Sequence, residues 1–196
     1  MSEMRFRHVI EARLQARLDQ FHAKWEPRVQ HGHANWEQYE QELTLLLLLY
    51  LPRVYDQMAG QAVAEFGGRQ AVSGAAWSDV YASDLAQQIA GNTRQWSEAG
   101  EMERAFGAGR SETISATETT RAATEGEESV LADLRKQGAA ITSLWRTSED
   151  ERVCPICRPL DGEDQHLWSQ KFSMGPPAHP RCRCWLEHHI TVGATP

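Results

Sequence analysis

All four cysteines of this chain lie between positions 154 and 184, and that clustering constrains its last quarter more than any other feature. The order is Cys154-Pro-Ile-Cys157, a gap containing Asp161-Gly162, then His179-Pro-Arg-Cys182-Arg-Cys184. Two thiolates separated by two residues reach one ion without straining the backbone, which is why the spacing recurs in structural zinc sites. The second half offers a His-x-x-Cys pair and a Cys-x-Cys pair, so five donors compete for the four positions of one tetrahedral ion. Soft thiolates suit zinc and favour all four cysteines. A Cys3His set, with Cys184 as an inert buried thiol, is the close competitor. Two disulfides and free buried thiols are the readings without metal, and disulfides need an oxidising compartment.

A catalytic zinc fits the pattern poorly. Zinc deaminases place His-x-Glu ahead of Pro-Cys-x-x-Cys, whereas here Cys-x-x-Cys comes first and no His-x-Glu occurs. A catalytic ion also needs an open position, and this cluster has donors to spare. His188-His189 reads as a solvated pair.

The chain has 196 residues, enough for one domain or for one larger and one small domain. A formal net charge of -7 provides no overall basic footprint for nucleic acid. Residues 1–20 alternate charged and apolar side chains, so no signal peptide is expected. The apolar run Leu45–Leu51 is far shorter than the roughly 20 residues that cross a bilayer. It reads as a buried helix; an exposed face of it would be a protein-binding surface.

Phe6, Ile10, Leu14, Leu18, Phe21 and Trp25 recur at spacings of three and four and predict an amphipathic helix over 3–26, ended by Pro27. A second helix is predicted from Trp36 toward Phe66, kinked or divided at Pro52 and terminated by Gly67-Gly68. A third runs from Trp77 to near Gly91 or slightly beyond, and a fourth from Ser111 to Lys136 with Gly138 as its cap. The centre of the fourth, Ser115 to Ala123, is small and polar, which suits close packing against another backbone. Glu118 and Arg121 are expected as a solvated i, i+3 pair. Ala140–Thr147 alternates as a strand, and Ser148 with Glu151 fits a capping box. Trp145, Leu160, Phe172 and Trp185 are the candidate core around the metal, and Asp161-Gly162 the candidate tight turn.

Residues 110–187 carry an ordered string of motifs. It begins with Arg110 and Thr117-Glu118-Thr119-Thr120-Arg121-Ala122, then Gly126. Trp145-Arg146-Thr147-Ser148-Glu149-Asp150-Glu151-Arg152-Val153-Cys154-Pro155-Ile156-Cys157 follows, then Leu160-Asp161-Gly162 and Pro176-Pro177-Ala178-His179-Pro180-Arg181-Cys182-Arg183-Cys184. This stretch resembles the C-terminal domain of the phage Mu F-like minor head proteins, with Thr124 standing where the family usually has Asn. The resemblance implies a structural minor head protein of a tailed phage or prophage, not an enzyme. Such a protein is assembled in the host bacterial cytoplasm and resides in the virion, in the capsid interior or portal region. Its implied partners are portal and capsid proteins, and packaged DNA in the course of packaging or delivery, with no membrane.

The expected fold is mainly α: a helical region over 1–109, then a Mu F-like domain over 110–187 and a tail over 188–196. The domain contains a small α+β module over 140–187 holding one structural zinc. Arg146, Arg152, Arg158, Arg181 and Arg183 give that module a basic face, and Arg181 and Arg183 are the candidate contacts to acidic portal loops or DNA. Solubilising surface charge is the alternative use. Two rivals come from other classes: a nucleic-acid-binding zinc module working outside a virion, and a hydrolase or transferase using Glu118, Arg121 and His179.

Overall fold

The computed structural model describes residues 3–148 and 153–191. Five helices come first: α1 (Glu3–Gln30), α2 (Trp36–Phe66), α3 (Gly74–Glu98), α4 (Met102–Phe106) and α5 (Ala108–Lys136). They are followed by β1 (Ala140–Arg146), a 3-10 turn (Arg158–Leu160), α6 (Gln165–Trp168) and β2 (Trp185–Thr191). The architecture is mainly helical with a small α+β module at the C-terminal end, as the sequence predicts. Residues 188–191 pair in β2 and do not begin a tail. Glu151 of the expected capping box lies outside the described residues.

The helices run longer than the prolines and glycines suggest. Pro27 sits inside α1 and Pro52 inside α2. An interior proline costs about 3 kcal/mol, but Leu43, Leu47, Tyr50, Leu51, Val54 and Met58 form one buried stripe through Pro52. Breaking the helix there would expose one end of that stripe, and each such side chain contributes about 1.5–3 kcal/mol on burial. α3 likewise continues past Gly91 to bury Thr93, whose hydroxyl donates to the Ile89 carbonyl at 2.7 Å. The leucine run divides by helical phase. Leu43, Leu47 and Leu51 enter the core, whereas Leu45 and Leu49 face outward, at 68% and 47% exposure.

α2 is the spine, packed against both α3 and α5, and α1 lies across α5 and α2. The small residues of α5 permit the closest of these approaches. A Cβ on Gly126 would stand 2.3 Å from the Tyr55 carbonyl oxygen of α2.

His22 of α1 is buried against α5, its Nδ1 3.0 Å from the Ser111 hydroxyl. Burial first, then Arg110, lowers its pKa from 6.5 to about 4. A depressed folded-state value stabilises the fold above the unfolded value, and this is lost as pH falls from 6.5 toward 4. Up to roughly 3 kcal/mol is at stake. A His22→Gln chain should therefore lose less stability than the native chain across that window, as read from urea midpoints. Equal losses would remove His22 from the acid response.

Candidate metal centre

β1 and β2 form an antiparallel two-stranded sheet in which Leu144 faces Glu187 and Arg146 faces Trp185. Gly162, at φ +79°, turns the chain back so that its N–H donates to the Trp145 carbonyl at 2.8 Å. The Asp161 carboxylate accepts from the Thr147 N–H at 2.7 Å and closes the same turn. Inside this frame the buried Trp145 packs with Trp168, Cys157, Cys182 and Cys184, and Leu160, Phe172 and Leu186 close the edges. Trp185 is not part of this cluster. β2 leaves Cys184 facing inward, so the two-residue pleat period turns Leu186 in and Trp185 out.

The five predicted donors fall into two groups that meet at Cys157. His179 Nε2 lies 2.8 Å from Cys154 Sγ and 3.2 Å from Cys157 Sγ. Cys157 Sγ is 3.8 Å from Cys182 Sγ. The donor atoms of Cys154, Cys157 and His179 lie within 4.8 Å of one another, as do those of Cys157, Cys182 and Cys184. Cys157 is common to both groups. An ion with sulfur ligands at about 2.3 Å in tetrahedral array separates those sulfurs by about 3.8 Å, which matches the Cys157–Cys182 pair. A small cavity of about 20 Å3, lined in part by Cys154, Cys157, His179, Cys182 and Cys184, adjoins the cluster. The cluster can hold a metal ion.

Backbone geometry presents these donors. Cys157 N–H points to Cys154 Sγ at 3.3 Å, the usual feature of a Cys-x-x-Cys turn. His179 Nδ1 lies 2.7 Å from the Pro180 carbonyl oxygen. A carbonyl can only accept, so Nδ1 carries the proton and Nε2 turns its lone pair toward the sulfurs. That arrangement is the one found at metal-bound histidines. Hydrogen bonding from Cys157, then from Cys184, holds the Cys182 thiol far below its ordinary value, and the same bond to Cys182 pushes Cys157 up.

Several other predicted residues take unexpected positions. Glu118 is buried, not solvated, and accepts a hydrogen bond from Tyr81 of α3. Burial pushes its carboxyl above the usual range, against the opposing effects of Tyr81 and Arg121. Glu118 therefore faces α3, whereas His179 sits among the cysteines. The His188 side chain is also covered, its Nδ1 2.8 Å from the Ser143 hydroxyl and its Nε2 3.7 Å from Glu127; His189 stays exposed beside Glu187.

Arg181 and Arg183 are both engaged within the chain. Arg183 reaches Glu11 of α1 at 3.1 Å and Glu112 of α5 at 3.6 Å. Arg181 lies 3.4 Å from Glu112 and donates to the Gly109 carbonyl at 2.8 Å. Arg7 of α1, which no motif marked, donates to the Arg183 carbonyl at 2.7 Å. Its partner is 176 positions away, and only the fold reveals it.

Among the described residues no helix is long and apolar enough to cross a membrane. The family model described as Phage Mu protein F like protein matches residues 79–187, more than half of the chain. The match begins within α3 and so takes in part of the helical region as well as the motif string. No curated protein and no solved structure matches.

Proposed function

The chain belongs to the Phage Mu protein F like family, and from that membership we propose that it is a minor head protein, built into the virion at low copy beside the portal. The family carries a role in phage head morphogenesis, and its place is among virion proteins. We assign the chain a structural part there, in contact with portal and capsid proteins and engaged in packaging or delivery of DNA. The observation that supports a structural part most directly is the metal cluster. It offers five donors for the four positions of one tetrahedral ion, which leaves no open position for a substrate. Arg181 and Arg183 enter this reading through the shape they impose on the module, since both are tied to α5 or α1.

The ion is zinc, held by Cys154, Cys157, His179 and Cys182, with Cys184 packed beside Trp145 as a fifth sulfur. The ordered His179 tautomer favours this set over four cysteines. Zinc in such a closed site contributes folding energy and no reaction step.

Two measurements test the reading. In cells producing the phage, the chain should co-purify with heads and with the portal, and its deletion should abolish infectious particles. Absence of the chain from purified particles would exclude the head assignment. Elemental analysis should find one zinc per chain, retained in Cys184→Ser and lost in His179→Ala; the reverse pattern would establish the four-cysteine set.

A further inference from the structure

We infer that Arg181 and Thr117 are positioning residues for the metal centre, through which α5 sets the loop between His179 and Cys182; this rests on the metal reading above. Among the described residues Arg181 is the one non-glycine residue with positive φ, at 64°. L side chains rarely adopt that conformation, and something outside the loop must hold it. The turn it makes brings Cys182 N–H to the His179 carbonyl at 3.1 Å and so sets the spacing of two proposed ligands.

One stripe of α5 does the holding. Arg181 N–H donates to the Thr117 hydroxyl at 3.0 Å, its Nε to the Thr113 hydroxyl at 2.8 Å and its Nη2 to the Gly109 carbonyl at 2.8 Å. Positions 109, 113 and 117 recur every four residues, the spacing of one helix face. Thr120, one turn further along, donates to the Cys182 carbonyl at 2.7 Å. The threonines are polarised for this task. Thr113 donates its hydroxyl proton to the Gly109 carbonyl and Thr117 donates to the Thr113 carbonyl, each at 2.6 Å. Each oxygen is left with lone pairs facing outward, which Arg181 fills. The Thr-rich motif of α5 and the His-Pro-Arg-Cys motif are thus two halves of one device. Helix face and ligand loop meet at Arg181.

The test is zinc affinity of the full chain, measured by competition with a chromophoric chelator, together with the visible spectrum of the cobalt-substituted protein. Thr117→Val and Arg181→Ala should each weaken zinc by about 10–100-fold, as lost partners of metal ligands do, and shift the cobalt bands. Thr117→Ser, which keeps the acceptor, should bind as the native chain does. Arg181→Gly, which adopts the positive φ freely, should bind more tightly than Arg181→Ala. Far-ultraviolet dichroism checks that the helices persist. A native chain that takes up no metal overturns the metal reading itself. A native chain that binds zinc, with Thr117→Val and Arg181→Ala equal to it in affinity and spectrum, overturns only the positioning role.

Discussion

Replacing Cys157 with serine is expected to abolish stoichiometric metal binding and to separate the melting of the C-terminal module from that of the helices. Cys157 is the donor shared by both groups of ligand atoms, so its loss damages the site whichever four donors hold the ion. Residues that merely support a ligand cost about 10–100-fold in affinity when removed, and loss of the ligand itself should exceed the upper figure. The module has little else to hold it. Its apolar cluster centres on Trp145 and Trp168, and its three other buried members are all cysteines. The helical layer keeps its own core through α1, α2, α3 and α5, so the variant should melt in two steps. The native chain with metal should melt in one, and a strong chelator should convert it to the two-step form. Because the ligands must lose protons to bind, the metal's contribution should also fall with pH. A single unchanged transition in Cys157→Ser would mean that metal plays no part in stability.

Gly126→Ala is the second large effect, and it concerns the helical layer. The new methyl would stand 2.3 Å from the Tyr55 carbonyl oxygen, a backbone atom that cannot swing aside as a side-chain tip can. α2 and α5 would have to separate along their contact. Overpacking of this kind costs about 1–3 kcal/mol and sometimes more, and we expect the upper end because both partners are long helices. Gly91→Ala provides the control. It lies within α3 with nothing within 4 Å of its would-be Cβ, and should stabilise by up to about 1 kcal/mol through helix propensity. Urea midpoints of the two variants measure the contrast. If Gly126→Ala unfolds at or above the native midpoint, the close approach of α2 and α5 does not limit stability.

The metal cluster was legible in the sequence because its determinants are local. Cys154 and Cys157 are three apart, and His179, Cys182 and Cys184 fall within six positions. Helix types were legible for a similar reason, since the stripe from Ile10 to Trp25 repeats over several turns. Helix ends were legible where glycines stop the chain, at Gly67 after α2 and at Gly138 after α5. At Pro52 and Gly91 tertiary burial overrides the local signal. The arginines posed a different difficulty. Arg181 and Arg183 look like a free basic face until Glu11 and Glu112 are brought beside them, and no short-range pattern announces a partner so distant. The strand period would have corrected Trp185: with Cys184 inward, Leu186 follows it and Trp185 does not.

The tie between Arg7 and the carbonyls of Arg183 and Cys184 spans almost the whole chain. On the ribosome, α1 emerges long before the segment it will clasp, and Cys154 and Cys157 wait for the donors of the second half. The helical layer can assemble as it appears, while the cysteine cluster and the clasp of Arg7 are completed only once residues 179–184 have emerged. A nascent chain that stops short of residue 179 therefore exposes the Cys154-Cys157 pair without the second half of its cluster, a mark by which a cell could distinguish it from one that has passed that point.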